Sequence, residues 1–187
     1  MSLEEIDRKL AARLEQLRRL RSLTLDELAE KAGVSRASLS RIERCETSPT
    51  ASVLGRLAAA FEVPMAELFG MDASGTGALV RAEEQLVWSD RETGFVRRSV
   101  SPSQPGYRGT VIEGHLPAGA TVAYRSPPLA ELEHHLVLLE GKLRVALGTT
   151  VHDLCPGDCL RFRLATPNSY HAPGAEAARY LLTVVTP

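Results

Sequence analysis

At Gly70 the apolar residues of this chain change their period, and that switch limits what it can fold into. Up to Phe69 they recur every three or four residues, the spacing of amphipathic helices. Beyond Gly70 they alternate in short runs at Thr110–Leu116, Leu136–Val145, Asp158–Leu164 and Ala178–Val185, as in half-buried strands. Turn signals separate these runs: Pro117-Ala-Gly, Glu140-Gly, Gly148-Thr, Pro156-Gly-Asp and Pro173-Gly. The expected architecture is α+β and multidomain. A helical domain over 1–70 is followed by a small, Gly/Ser-rich linker over 71–79 and an all-β domain over 80–187. The stretch 71–90 is the expected hinge.

The helical half carries its sharpest signal between Thr24 and Pro49. Thr24 with Glu27 three residues later forms a capping box, and Leu25, Leu28, Ala29 and Ala32 fall on one helical face. Gly33 stops that helix by taking a positive φ, Val34 packs into the bend and Ser35 caps the next helix. The second helix buries Leu39 and Ile42. Its other face presents Arg36, Ala37, Ser38, Ser40, Arg41 and Arg44, small or cationic groups suited to a DNA major groove.

Residues 8–69 resemble the phage-repressor (Xre/Cro-like) helix-turn-helix domain. The resemblance rests on Leu25-Asp-Glu-Leu-Ala, the Gly33-Val-Ser turn, Leu39-Ser-Arg-Ile-Glu, and Ser48-Pro49 before a fourth helix at 50–61. It implies five helices around one core, with a first helix over about Leu3–Arg21 and a last over 64–69. It also implies a dimer reading a two-fold operator in double-stranded DNA. On the family's pattern Arg36 and Ala37 face base edges, Arg41 faces bases or phosphate, and Thr24, Ser35 and Ser38 reach the phosphate backbone, with Arg44 on the same face. The family usually has glycine where this chain has Cys45, so a left-handed residue strained by about 1 kcal/mol is expected there.

Charge bounds how such a domain can bind. Residues 1–70 hold eleven basic and eleven acidic side chains, which excludes a general nucleic-acid coat and leaves clustered arginines: 36, 41 and 44 on one helix, 18, 19 and 21 on another. Apolar content of 44% is that of an ordinary globular protein, and no run approaches a membrane span. The opening segment has no signal-peptide core, so a cytoplasmic location is expected. Cys45, Cys155 and Cys159 form no disulfide framework.

The second half is similar to the cupin fold, a double-stranded β-helix or jelly roll. Leu116-Pro-Ala-Gly-Ala, Val137-Leu-Leu-Glu-Gly-Lys-Leu, Pro156-Gly-Asp with Phe162, and Pro167-Asn-Ser-Tyr-His-Ala-Pro-Gly carry that similarity. An Xre-type reader fused to a cupin implies a transcriptional regulator, a repressor by expectation, whose barrel senses a small organic effector. The metal-ligand positions of such cupins fall here on Pro128, Ala130, His134 and Asn168, so no metal cofactor is expected. A rebuilt site with His134 or His171 is the alternative, and with it a metal-dependent cupin enzyme carrying a helical domain. Neighbours on a strand face opposite ways, which keeps His134 and His135 out of one pocket. Tyr124, Arg125, His134, Arg144, Asn168 and Tyr170 are the candidate effector contacts, Arg125 favouring an anionic ligand. Trp88 and Tyr107 read as packing residues.

Overall fold

The computed structural model describes residues 3–70, 78–125, 127, 129 and 131–187. Five helices come first: α1 (Leu3–Leu20), α2 (Leu25–Ala32), α3 (Arg36–Glu43), α4 (Ala51–Phe61) and α5 (Met65–Leu68). Helix α1 buries Ile6, Leu10, Leu14 and Leu17 along one stripe. Glu4 and Glu5 in its first turn and Arg18 and Arg19 in its last complement the helix dipole. Thr24 and Glu27 form both halves of the capping box on α2, which Gly33 ends at φ 62°.

Helix α3 is capped by Ser35 and closes in a Schellman motif. Glu46 donates its N–H to the Arg41 carbonyl at 2.8 Å, and Cys45 donates to Ile42 at 2.9 Å. Cys45 lies at φ 57°, the left-handed region in which a side chain is strained.

Ten strands build the second half. β1 (Val87–Ser89), β2 (Val96–Ser101), β3 (Gly109–Leu116), β10 (Ala178–Val185), β5 (Leu132–Glu140) and β8 (Cys159–Leu164) form one sheet in that order. β4 (Thr121–Tyr124), β9 (Asn168–His171), β6 (Leu143–Leu147) and β7 (Thr150–Leu154) form the other. All pairings are antiparallel, giving the two-sheet jelly roll.

The helices and the barrel share a hydrophobic core. One cluster runs without a break from Leu10, Leu54 and Phe61 through Phe69 and Trp88 to Leu116, Val145 and Tyr180. Trp88 is 1% exposed against Phe69, with ring centroids 5.9 Å apart. Tyr107, expected to pack, is instead 68% exposed in the loop between β2 and β3. Most of the expected linker, residues 71–77, lies outside the described residues. The end of the expected hinge is no hinge: Val87–Ser89 pairs as a sheet strand, and Asp90 is 1% exposed in the joint between helices and barrel.

Asp90 makes that joint. One carboxylate oxygen accepts the N–H of Ala51, the first residue of α4, at 2.8 Å. The other accepts from Glu92 at 2.9 Å, turning the chain back toward β2. A helix N-terminus attracts a negative charge, so the barrel's own carboxylate caps a helix of the other domain. Nearby, Gly55 of α4 meets Tyr124 of β4 so closely that an added Cβ would lie 2.5 Å from the ring.

Asp90→Ala leaves a buried helix N–H without an acceptor. The expected loss is about 2–3 kcal/mol in denaturant unfolding, with a smaller loss for Asp90→Asn, which keeps an acceptor. Cys45→Gly, by contrast, is expected to stabilise by roughly 0.5–1 kcal/mol, because it relieves the left-handed residue while loosening the unfolded chain. An unchanged or lower denaturation midpoint for Cys45→Gly would contradict that reading.

Candidate DNA-reading surface and buried cavity

Two places collect polar groups that the fold itself does not consume. The first is the outer face of α3. Leu39 and Ile42 anchor the helix inward, which leaves Ser35, Arg36, Ala37, Ser38, Arg41 and Arg44 exposed on one side, with Thr24 exposed at the start of α2. Ser35 accepts the N–H of Ser38 at 3.1 Å and donates its hydroxyl to the Ser38 hydroxyl at 2.8 Å. Thr24 is held by Glu27, whose carboxylate accepts its N–H at 2.7 Å and its hydroxyl at 2.8 Å.

Each arginine on this face already has a carboxylate. Arg36 pairs with Asp26 at 3.1 Å, Arg44 with Glu46 at 2.7 Å, and Arg41 approaches Glu46 at 3.9 Å. The bond from Arg44 holds the Glu46 carboxyl below its ordinary range. These pairs lie in water and are easily exchanged.

The second arginine group does not form the free positive cluster that its spacing suggested. Arg18 turns inward from α1 and grips Glu43 at the end of α3 through two bonds of 2.7 and 2.8 Å, while also donating to the Leu23 carbonyl at 3.0 Å. That fork, only 14% and 10% exposed, fixes the attitude of α3 against α1. Arg19 pairs with Glu15, and Arg21 lies over the Phe61 ring at 5.5 Å.

The second place is a cavity of ≈ 90 Å³. Most of its walls are barrel strands, and Gly55 of α4 with Pro64, Met65 and Ala66 of the α5 turn line it from the helical side. Four of the candidate effector contacts line it: Tyr124, His134, Asn168 and Tyr170. Two do not. Arg144 alternates outward between buried Leu143 and Val145 and forks onto Asp153 at 2.7 and 3.2 Å. Arg125 sits just past the end of β4, exposed and away from the cavity lining.

The cavity's cation is Arg97 of β2, a residue the sequence reading passed over. It is 3% exposed. Among the described residues its partners are the Ser99 hydroxyl, which accepts from Nη1 at 3.0 Å, and the Phe69 ring, 4.8 Å below the guanidinium. Among the described residues Nη2 has no hydrogen-bond partner, and neither do Thr110 Oγ1 and His134 Nδ1 on the same walls. Burial pulls the Arg97 pKa down to about 10, so the group stays charged at neutral pH. A desolvated cation–π contact recovers about 2 kcal/mol, against several kcal/mol to desolvate an ion. The balance leaves Arg97 short of a counter-charge.

Three tyrosines complete the walls. Tyr170 stacks on Tyr180 at 6.1 Å and meets Tyr124 edge-on at 6.1 Å. Burial pushes all three hydroxyls well up, so they remain protonated donors. His134 sits edge-on to Phe162 at 4.9 Å. Burial first, then the charge of His135, pulls its pKa down to about 4. His135 itself points to the other face and bonds Glu133 at 2.7 Å.

This donor set does not suit a metal. His134 is the only imidazole on the cavity wall among the described residues. His171, on β9, is engaged by Thr121 at 2.9 Å and the Ala120 carbonyl at 3.1 Å. Pro128 and Ala130, which occupy two ligand positions of metal-binding cupins, lie outside the described residues and carry no ligand atom in their side chains.

Comparison with known proteins agrees with this geometry. Residues 14–68 match the helix-turn-helix family HTH_3. The chain is 27% identical over 178 residues to the HTH-type transcriptional regulator SutR of Escherichia coli (strain K12), covering 95% of both chains. It superposes on the crystal structure of an HTH_3 family transcriptional regulator from Vibrio cholerae with a TM-score of 0.81 and 25% identity, over 100% of this chain and 99% of that one. The Fe(II) form of HppE matches with a TM-score of 0.50 and 16% identity over 97% of this chain and 100% of its own, a likeness of fold alone.

Residues 14–68 thus form a helix-turn-helix domain similar to the HTH_3 family, joined to a two-sheet jelly roll. The whole chain is a homologue of helix-turn-helix transcriptional regulators.

His134 gives a pH signature. An unfolded histidine titrates near 6.5, so between that pH and about 4 the unfolded chain binds a proton that the native chain refuses. Stability must therefore fall as pH drops through this window, by at most ~1.4 kcal/mol per pH unit from this group. Denaturant titrations between pH 4.5 and 7 are expected to show a shallower slope in His134→Gln than in the parent; equal slopes would remove His134 as the cause.

Proposed function

We propose that the protein is a sequence-specific DNA-binding transcriptional regulator, acting as a dimer in the cytoplasm, whose barrel cavity holds a small-molecule effector. The observation that carries the DNA role is the exposed face of α3. Its anchor residues and the Arg18–Glu43 fork fix the helix, while Arg36, Ala37, Ser38, Arg41 and Arg44 stay free of packing. One such helix reads only a few base pairs, and a two-fold pair about 34 Å apart doubles the site. The cavity with unmet polar atoms supports the sensor role. Repression is the expected sense of regulation. In keeping with a DNA-side location, no helix among the described residues is long and apolar enough to cross a membrane.

A regulator needs no chemistry in the cavity, and the lining offers none of the three-ligand metal sites on which cupin enzymes of the metal-dependent kind rely. The metal-dependent reading is therefore the weaker one.

Operator selection from random duplexes with the full chain, followed by binding assays, tests the proposal. Two-fold sites should be recovered. Arg36→Ala or Arg41→Ala should then cost about 1–3 kcal/mol and relax preference at one base position if the contact is to guanine. Recovery of no site, or a monomer on DNA in sedimentation, would sink it.

A further inference from the structure

The cavity's chemistry narrows its occupant. Among the described residues, three buried polar atoms on its walls have no partner, Arg97 Nη2, Thr110 Oγ1 and His134 Nδ1. Beside them, Ile112, Leu132, Leu164 and Val184 form an apolar cluster separate from the core that joins the two domains, with Val184 paired to both Thr110 and His134 across the sheet. A ligand that satisfies both has an anionic head and an apolar body. A guanidinium with a free N–H pairs best with a carboxylate, while an inorganic oxyanion would leave the apolar wall against its hydration shell. The volume of ≈ 90 Å³ sets the size. Since a cavity of ~150 Å³ takes the six carbons of benzene, about four non-hydrogen atoms fill this one.

We propose that the cavity is a carboxylate site shared by the two domains. A compact aliphatic monocarboxylate places its head on Arg97 with Thr110 and His134, and its body against the Ile112–Leu164 cluster under a roof made by Pro64, Met65 and Ala66. This deepens the sensor reading and rests on it for the ligand's role, not for the ligand's chemistry. The roof belongs to the helix-turn-helix domain, and so does Phe69, whose ring carries the Arg97 guanidinium. An occupant of the site therefore touches the DNA-binding domain directly. Occupancy can bias the arrangement of the two domains without passing through the linker, provided the ligand binds one arrangement better than the other.

Trp88 is the chain's single tryptophan and packs on that same Phe69, so its fluorescence reports the site. The experiment uses the full chain titrated with acetate, propionate and isobutyrate, with their neutral amides, and with inorganic phosphate and sulfate, read by Trp88 emission and calorimetry. Carboxylates are expected to bind in the millimolar range or tighter, and the matched amides and inorganic anions at least about tenfold more weakly. Arg97→Met should weaken carboxylate binding about 10- to 100-fold, with Arg97→Lys in between. Ala66→Leu, which fills the cavity from the helical side, should block binding while leaving the barrel's own walls intact.

Circular dichroism checks that each variant is folded, and Arg97→Lys keeps the test open if Arg97→Met is not. The inference is overturned if no carboxylate binds, if amides or inorganic anions bind equally well, or if either Arg97→Lys or Ala66→Leu binds like the parent. Operator selection separates the two readings. A chain that selects DNA and ignores carboxylates overturns this inference alone, whereas one that binds carboxylates and selects no DNA overturns the regulator reading alone.

Discussion

The arrangement of this molecule hangs on one buried carboxylate. Asp90 belongs to the barrel by sequence and to the helices by function, because its oxygen supplies the acceptor that the first N–H of α4 lacks. A helix terminus buried without such a partner would be costly, so α4 cannot leave the barrel without exposing or orphaning its own end. The contact also explains why a chain with two recognisable domains has a continuous core. Trp88 and Phe69 pack in the space that Asp90 closes, and Arg91 adds a surface tie to Asp7 of α1 at 2.9 Å.

That joint gives the cavity its unusual wall. Gly55 lets the Tyr124 ring come close to α4, and the short α5 turn that follows adds Met65 and Ala66 to the cavity wall. This helical part of the wall follows directly on the helix held by Asp90, and α4 in turn packs on α2, which carries α3. The physical path from cavity to recognition helix is three packed helices long. Whether a ligand uses it depends on differential binding to two arrangements, not on proximity.

Much of this was legible in the residues. The capping residues Thr24 and Ser35, the stop at Gly33 and the buried stripe of α1 follow from local rules, the left-handed Cys45 from the family resemblance, and the structure has each of them. A helical half and an all-β half were visible as a change of period, and the helix-turn-helix domain and the jelly roll as resemblances carried by their motifs. What the sequence hid was tertiary. The pairs Arg18–Glu43 and Asp90–Ala51 join residues 25 and 39 positions apart, with nothing local to mark them. Arg97 sits in Phe95-Val-Arg-Arg-Ser-Val-Ser, whose apolar residues do not alternate, and Val96 and Val100 share the phase of Arg98; only the fold shows that Arg97 faces inside and Arg98 outside, on Glu113. Arg125 looked equivalent only because a strand's end cannot be fixed to one residue from composition.

The neutral charge of the helical domain acquires a physical meaning from the ion pairs on α3. Asp26 and Glu46 neutralise the cations that a phosphate backbone would otherwise attract at any sequence. Binding DNA means exchanging these carboxylates for phosphates or base edges, and an exchange returns less than a bare cation would gain. Non-specific affinity is thereby held low, since a random duplex offers phosphates but no well-placed base acceptors. On the proposed two-fold operator, a matched site adds the base contacts of two helices at once. Keeping the domain neutral thus widens the gap between operator and bulk DNA, which is the property a regulator of this size needs more than raw affinity.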